Sequence, residues 1–411
     1  MFRYYTTPIY YVNDTPHIGH AYTSVAADVL ARFARLDGHT VKFLTGTDEH
    51  GQKVEKSAQQ KGMSTKEFVD KVSPSFRKMG DVLHLTNDDF IRTTEARHIQ
   101  SAQALWLKIE AAGYIYKGSY AGWYSVRDEA YYQESELING KAPTGAPVEW
   151  VQEPSYFFKL SVFQEKLLEF YDNHPDAVGP TSRRNEVISF VKSGLKDLSI
   201  SRSTFHWGVP VPTDPDHVMY VWMDALSNYI TALGYPDDTE EMRTFWPKAI
   251  HLVGKDILRF HCVYWHAFLM AAGLPLPKKV FAHGWWTNEG EKISKSLGNV
   301  IDPFELVETY GVDQVRYFLI REVPFGSDGD FSKKALVGRI NSDLANDYGN
   351  LVQRVLSFAY KHCGEKIPTP AHFTSADQQI LETASTLPEK LRHHADTQAL
   401  HKFCDSIWEL I

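Results

Sequence analysis

The sequence is poor in cysteine. Cys262, Cys363 and Cys404 are the three in 411 residues; they lie far apart and no Cys-x-x-Cys occurs. That argues against a cysteine-held zinc site, and a small, odd count suits a reducing compartment. Long apolar runs are lacking too: "CVYWHAFLMAAGLPLP" falls short of the ~20 residues that span a bilayer and carries His266. The opening "MFRYYTTPIYY" has none of the charged-then-apolar plan of a signal peptide. There is no excess of positive charge. Lys and Arg total 43 against 51 Asp and Glu, a net charge of -8, which argues against coating nucleic acid by bulk attraction but leaves room for a local basic patch. No internal repeat and no low-complexity tract is visible. These absences make a soluble cytoplasmic protein with no membrane partner the expectation. What is present is core material, 43% hydrophobic and 13% aromatic, in a length that allows about two to four domains.

Residues 3–12, rich in β-branched and aromatic types, predict a strand, and 17–36 a helix whose apolar stripe includes Val25, Leu30 and Phe33 and which Gly38 ends. "TVKFLTG" predicts the next strand, "GTDEHG" a loop and "QKVEKSAQQKG" a polar helix. Strand–helix–strand–helix implies a parallel sheet with crossover helices. After Gly113 the text turns aromatic and rich in turn residues, as in an inserted β-rich region, with helices near 161–195. The α/β rhythm returns with "VMYVWMDALSNY", "AIHLVG" and "KKVFAHGWW". From about 340 the pattern is helical, and with no C-cap signal the chain is expected to stop inside a helix. This texture divides the chain into 1–113, the first half of an α/β region; 114–204, the inserted β-rich region; 205–290, the second half of the α/β region; 291–340, a lysine loop and the segment after it; and 341–411, a helical region.

Two stretches carry the chemistry. In "PIYYVNDTPHIGH" a strand gives way to a helix start, and in an open parallel sheet ligands sit at such carboxyl ends. Free N–H groups and the helix dipole attract phosphate there. Gly19 permits close approach, and His17 and His20, spaced i, i+3, project from one side of the first turn. Imidazole N–H groups donate to phosphate and stabilise charge built up in a transition state. A surface turn with incidental histidines has the same local sequence. The second stretch, "EKISKSLGN", sets Lys292 and Lys295 three apart in a serine-rich loop, either an ordinary solvated loop or one that closes on a triphosphate.

Together "HIGH" and "KISKS" resemble the signatures of class I aminoacyl-tRNA synthetases, with Ile293 where the second motif usually has methionine. "TTPIYYVNDTPHIGHAYT", "FLTGTDEHGQK", "YVWMDALSNY", "HLVGKDILRFH", "FAHGWW" and "EKISKSLGN" occur in the order seen in the methionyl-tRNA synthetases of bacterial type. The resemblance implies an α/β fold, a class I parallel nucleotide-binding sheet with an inserted β-rich domain and a C-terminal α-helical bundle. It implies that methionine and ATP, with Mg²⁺ arriving on ATP, give methionyl-adenylate and pyrophosphate. The methionyl group then passes to the terminal adenosine of tRNA(Met), first at the 2′-hydroxyl. The carboxylate nucleophile needs no deprotonation, so catalysis is positioning and charge stabilisation.

By the same resemblance His17, His20, Lys292 and Lys295 are the catalytic set, and Pro8, Tyr10, Gly19, Gly254, Asp256 and Ile293 complete an ATP site. Gly254 would let adenosine approach, and Asp256 would accept the ribose hydroxyls. Asp48 would hold methionine's ammonium group, although a loop aspartate capping the next helix reads the same. His50 reads as a bland loop residue in preference to a metal ligand. Trp222, Ala225, Leu226 and Tyr229 share a helix face, by themselves equally a core stripe. The resemblance makes them a methionine pocket with Ile9, Tyr10, Ile257 and His283. Rejecting shorter apolar amino acids gains only ~1–3 kcal/mol per methylene, so a contact to sulfur matters, from Tyr229 or His283. Phe260 and His261 read equally as core residues.

The sequence departs from many relatives in the insertion. Where they carry Cys-x-x-Cys zinc knuckles, "YSVRDEAYY" has Ser125 and Asp128. These cannot replace two thiolates, so no structural zinc is expected and aromatic packing around Trp123, Tyr124 and Tyr131 should hold the insertion. In the helical domain Asn346, Asn350 and Arg354, at i, i+4 and i+8, match the stripe that meets the anticodon loop, and they read equally as a solvated face. The family's bundle continues past position 411, so this domain is expected to be C-terminally incomplete and its anticodon binding is in question; a monomer is expected. Isoleucyl, valyl and leucyl enzymes would need a long editing insertion, and a cysteinyl enzyme zinc thiolates. A non-catalytic RNA-binding paralogue would show eroded phosphate-handling residues, yet His17, Gly19, His20, Lys292 and Lys295 are all present.

Overall fold

Pro8 divides the first predicted strand. In the computed structural model, which describes residues 1–293 and 298–411, β1 is Phe2–Thr6 and β2 is Tyr10–Tyr11. A proline has no N–H for a ladder and fixes φ. α1 (Ile18–Leu36) follows and is released at Gly38, whose φ is 81°. β3 (Thr40–Asp48) runs two residues further than expected, so Asp48 ends a strand and does not sit in a free loop. α2 (Gln52–Gln60), α3 (Thr65–Val82), β4 (Asp89–Arg92) and α4 (Ala96–Ala111) complete the first half.

The inserted stretch forms β5 (Ile115–Ser125), β6 (Ala130–Tyr132) and β7 (Glu149–Phe158), then α5 (Gln164–Asn173), β8 (Val178–Gly179), α6 (Thr181–Lys192), β9 (Leu198–Ser199) and β10 (Ser201–Arg202). Its sheet runs β6-β5-β7-β9 and is antiparallel. β11 (Pro210–Val211) and β12 (Asp214–Met219) join β10 in a small sheet. α7 (Val221–Leu226), α8 (Asn228–Thr231), α9 (Glu240–Phe245), β13 (Ala249–Gly254), α10 (His266–Ala271) and β14 (Lys279–His283) return to the main sheet. Its order is β2-β3-β1-β13-β14-β8 with β4 on β3, and the registers of β1 with β3 and β13 are parallel. β8 comes from within the predicted insertion, so the insertion lends one strand to the parallel sheet.

By contact clustering the chain forms two compact units. The first is residues 1–16, 34–80 and 86–282; the second is 17–33, 81–85 and 283–411. The first holds the parallel sheet and the inserted sheet around Trp106, Trp246 and Trp265, all fully buried; truncating one such side chain to alanine costs about 3–5 kcal/mol. The second holds most of α1, a small sheet of β15 (Trp286–Asn288), β16 (Glu291–Lys292) and β17 (Gly329–Phe331), and the helices α11 (Pro303–Tyr310), α12 (Val312–Arg321) and α13 (Lys333–Arg339). A π-helical stretch, Ile340–Gly349, leads into α14 (Asn350–His362), α15 (Ser375–Asp396) and α16 (Leu400–Trp408). The last helix therefore closes at Trp408, short of the expected run to the end. In this unit the buried Asp28 carboxylate accepts from Arg316 at 2.6 Å and Arg32 at 2.7 Å, and Phe33 meets Phe403 edge-on at 4.9 Å. No described helix is long and apolar enough to cross a membrane.

Candidate active site

In the first unit the end of β3 presents an unusual carboxylate. Asp48 is 2% exposed, and its Oδ1 has no hydrogen-bond partner among the described residues. Burial, then the negative charges of Asp224, Glu129 and Glu49, push its acid well above the ordinary range, opposed only by a bond from the His50 backbone N–H. A buried carboxylate without a cation is costly. An incoming ammonium group would complete it.

The neighbours of Asp48 are tied down. Glu49 accepts from Arg92 Nε at 2.7 Å and Nη2 at 3.0 Å, from Thr94 Oγ1 at 2.5 Å and from Thr47 Oγ1 at 2.9 Å. His50 Nδ1 donates to Asp224 Oδ2 at 2.7 Å, and His98 Nε2 donates to Asp224 Oδ1 at 2.6 Å. Burial alone would raise the Asp224 acid; the two imidazoles more than offset it and hold its pKa down to about 2. His50 is thus a strut between the Asp48 loop and α7, a part that the bland sequence reading misses.

α7 carries the aromatic wall. The spacing of Trp222, Ala225, Leu226 and Tyr229 predicts one helix; the structure breaks it at Ser227 and places Tyr229 on α8, all four side chains buried. Trp222 stacks on Phe260 with ring centroids 3.9 Å apart and planes 5° from parallel, and Tyr11 meets Trp222 edge-on at 6.4 Å. Phe260 and His261 begin a π-helical turn, Phe260–Trp265, a wide turn that recurs at functional sites. His261 Nδ1 donates to the Ile257 carbonyl at 3.0 Å, since a carbonyl only accepts. Burial lowers the His261 pKa to about 4, so the ring is neutral and its Nε2 accepts from the Tyr229 hydroxyl at 2.8 Å. The Tyr229 oxygen keeps its lone pairs for a further donor. Tyr10 is buried and stacked on Phe76 at 5.8 Å, while Ile9 and Ile257 are half-buried against the core.

His283, expected in the methionine pocket, is buried. It belongs to the second unit. Its Nε2 shares a 2.7 Å hydrogen bond with Thr23 Oγ1, its Nδ1 shares one of 2.8 Å with the Gly284 carbonyl, and Tyr22 and Phe325 flank its ring. The imidazole that meets Tyr229 is His261.

β13 ends at Gly254 and a 3₁₀ turn, Lys255–Ile257, follows, with Asp256 exposed on it. A Cβ at Gly254 would come within 2.5 Å of Asp256 Oδ1, so this turn tolerates only glycine without moving the carboxylate. Pro8 is half-buried between β1 and β2.

In the second unit the His17 and His20 rings lie on one side of the turn, as their spacing predicts, and stack at 3.8 Å. The backbone differs from the expectation of free amides. Ile18 N–H donates to the Ile301 carbonyl at 3.0 Å, Gly19 N–H to His17 Nδ1 at 3.1 Å, and His20 and Ala21 N–H to the His17 carbonyl at 2.9 and 3.2 Å. The turn offers imidazoles in place of amides. His17 N–H also donates to His20 Nδ1 at 3.1 Å. Both Nδ1 atoms accept, so each neutral ring carries its proton on Nε2, a hydrogen-bond donor. A Cβ at Gly19 would lie 3.0 Å from the His17 ring, so any larger residue needs that ring to give way by a few tenths of an ångström. Lys292, exposed on β16, holds its ammonium 5.9 Å from the Trp285 ring centroid, and Ile293 is half-buried. Lys295 lies outside the described residues.

Ser125 and Asp128, the pair that the sequence offers in place of thiolates, form a polar hub. Asp128 accepts from the Tyr132 hydroxyl at 3.1 Å and from Thr144 Oγ1, and Asp128 N–H donates to Ser125 Oγ at 3.3 Å. Rings pack around it as expected: Trp123 on Trp150 at 5.4 Å and Tyr124 on Tyr131 at 5.0 Å. Among the described residues no group of three or more His, Cys, Asp or Glu is placed to hold a metal ion. Asn346, Asn350 and Arg354 are all exposed. Asn346 sits in the π-helical stretch and the other two in α14, so the i, i+4 step between 346 and 350 crosses a change in helical pitch that the sequence spacing does not reveal.

Residues 3–147 and 135–356 match the family described as tRNA synthetases class I (M). The chain is 65% identical over 366 residues to the methionine–tRNA ligase of Rickettsia bellii, covering 89% of this chain and 72% of the relative. It is 59% identical over 413 residues to that of Brucella suis, covering 99% and 80%. Among solved structures it resembles the Mycobacterium tuberculosis methionyl-tRNA synthetase in complex with methionyl-adenylate, with a TM-score of 0.97 and 53% identity over 100% of this chain and 82% of the other. The apo form from the same organism gives a TM-score of 0.88 at 50% identity, covering 100% and 79%.

Proposed function

The chain belongs to the methionine branch of the class I tRNA synthetases, and on that basis we propose how its own residues activate methionine and pass it to tRNA(Met). The ammonium group of methionine pairs with Asp48, whose unpartnered buried oxygen is the observation that carries this reading. The thioether lies among Ile9, Tyr10, Trp222, Ala225, Leu226, Tyr229 and Ile257, with the Tyr229 hydroxyl, oriented by His261, nearest in chemistry to sulfur. Position and orientation then hold the carboxylate for in-line attack on the α-phosphorus of ATP. The new bond joins carboxylate oxygen to phosphorus, and the bond to pyrophosphate breaks.

His17 and His20 donate from Nε2 to phosphate oxygens as charge builds up, and Lys292 and Lys295 neutralise the departing pyrophosphate. Pro8, Tyr10, Gly19 and Ile293 help to seat ATP; Gly254 admits the adenosine and Asp256 accepts its ribose hydroxyls. Mg²⁺ enters with ATP as part of the substrate. In the second step the 2′-hydroxyl of the terminal adenosine attacks the methionyl carbonyl and AMP leaves. Asn346, Asn350 and Arg354, exposed on one helical run, serve the anticodon, and the chain acts as a monomer in the cytoplasm. The test is amino-acid-dependent exchange of pyrophosphate into ATP across the twenty amino acids. Exchange with methionine alone is expected. Exchange driven by isoleucine, or by none of the twenty, overturns the reading.

A further inference from the structure

The loop between β5 and β6 holds a glutamate that the mechanism above does not use. Glu129 is fully buried, yet its φ of 48° is in the left-handed region that non-glycine residues avoid. Such strain persists where the surroundings over-determine it and clusters at functional sites. Three bonds hold it. Its Oε1 accepts from the Lys53 backbone N–H at 2.9 Å, its Oε2 accepts from the Tyr124 hydroxyl, and its own carbonyl accepts from the Tyr220 hydroxyl at 2.9 Å. Lys53 Nζ reaches back to the Arg127 carbonyl at 3.2 Å.

The Lys53 amide lies in the first turn of α2, a helix whose own N-cap, Gly51, supplies no side chain. Glu129 therefore caps that helix from another part of the chain, where the helix dipole favours a carboxylate. Gly51 has a φ of 101°, and a Cβ there would lie 2.9 Å from Glu129 Oε1, so the close approach depends on glycine. Two residues separate Gly51 from Asp48. Glu129 is among the charges that act on Asp48 and on the Tyr11 hydroxyl, together with Asp224. Of these acids Asp224 is compensated by two imidazoles, whereas burial pushes the Glu129 acid up, and the bonds from Tyr124 and the Lys53 N–H and the pull of Lys53 and Arg202 offset it only in part.

We propose that Glu129 is a positioning residue for the amino group of methionine: it locks the loop after Asp48 through the α2 cap, and it adds a second negative charge to the field that draws in the ammonium. The inserted sheet thereby contributes to substrate selection. This rests on the assignment of Asp48 as the ammonium partner. The groups that set the field are Asp48 and Glu49 on or beside β3, His50 and Lys53 around the start of α2, Tyr11 on β2, Asp128 and Tyr124 of the insertion, Arg202 on β10 and Asp224 on α7.

The test is Glu129→Gln, which keeps shape and hydrogen-bonding reach and removes the charge. In methionine-dependent pyrophosphate exchange, KM for methionine is expected to rise about tenfold, while KM for ATP and kcat stay within about twofold. Removing a negative neighbour makes Asp48 easier to ionise, so the acid limb of kcat/KM for methionine moves to lower pH. A cap of purely structural effect moves neither selectively. The second readout is inhibition by methylthiobutanoate, the analogue without the amino group, whose affinity the variant leaves unchanged. An unchanged KM for methionine, or an equal loss for the analogue, overturns the proposal. If Glu129→Gln does not stay folded, Glu129→Asp decides. It keeps the charge on a shorter arm and is expected to raise KM for methionine about threefold while leaving inhibition by the analogue unchanged; a loss of affinity for both refutes the role. Absence of methionine-dependent exchange in the unmodified protein would instead refute the functional reading beneath it.

Discussion

Asp48→Asn is predicted to weaken the enzyme and strengthen the fold. The side chain keeps its size and loses its charge. If Asp48 pairs with the methionine ammonium, removing one member of a buried charge pair costs about 2–4 kcal/mol, a fall of roughly 30- to 1,000-fold in kcat/KM for methionine. Without methionine the Asp48 Oδ1 has no hydrogen-bond partner among the described residues. Its burial penalty, on the order of 1–3 kcal/mol for an imperfectly paired polar group, is then relieved by the amide. With ~2.1 cal/mol/K per residue over 411 residues, the unfolding entropy is about 0.9 kcal/mol/K, so the ligand-free Tm should rise by ~1–3 °C.

The pH dependence has a definite sign. The folded-state acid is raised by burial and by Asp224, Glu129 and Glu49. The penalty is absent while both folded and unfolded forms are protonated, and grows as pH climbs past the ordinary carboxylate value of 3.8. The Tm advantage of the variant should therefore vanish below that value and grow with rising pH until the raised folded-state acid has ionised. Scanning calorimetry with and without methionine, beside pyrophosphate exchange, reads all of this. Methionine should raise the Tm of the unmodified protein and leave that of the variant nearly unchanged. A variant that loses several degrees without ligand would refute the reasoning, because Asp48 would then hold the fold together and not await a substrate.

Three other outcomes follow from the same geometry. Asp224→Asn leaves His50 and His98 without their shared carboxylate and should cost about 3–5 kcal/mol by denaturant titration. Since the Asp224 pKa is depressed to about 2, its contribution is present above the ordinary carboxylate range and lost only as pH falls through that value. Tyr229→Phe removes the hydroxyl that orients against His261 and should lower kcat/KM for methionine about tenfold while leaving that for norleucine, which lacks sulfur, nearly unchanged; equal losses would remove Tyr229 from sulfur recognition. Lys295→Ala should lower kcat for exchange by ~10²–10³ with little change in KM for methionine, and a KM effect alone would place that lysine in substrate binding.

Much of the fold was legible because its signals are local. Alternating strand types, the apolar stripe of α1 and the glycine after it are each written within a dozen residues or so. The change of texture after Gly113 announces the antiparallel sheet. Pro8 carried the break between β1 and β2, although the apolar text on both sides hides it. What escaped is non-local or depends on small changes of helical pitch. β8 joins the parallel sheet from inside the insertion because Val178 and Gly179 meet β14, a pairing no periodicity encodes. Asn346 and Asn350 sit on either side of a π-to-α transition invisible in their spacing.

The candidate site divides in the same way. By itself the sequence determined the chemical inventory: two imidazoles at i, i+3 on one side of a turn, a glycine between them, two lysines in a serine loop, and an aspartate in the loop after a strand. Order and spacing along one chain suffice for these. Only tertiary structure decided which groups are already engaged. It tied His283 to Thr23 and Gly284, brought His261 to Tyr229, turned His50 into a strut on Asp224, and satisfied the amides that a helix start was expected to offer. It also buried Asp48 with one oxygen unpartnered among the described residues and set Glu129 behind the same loop. Hydrogen-bond satisfaction and burial depend on residues tens to hundreds of positions apart. A sequence lists the donors and acceptors, and the fold alone settles which of them remain for a substrate.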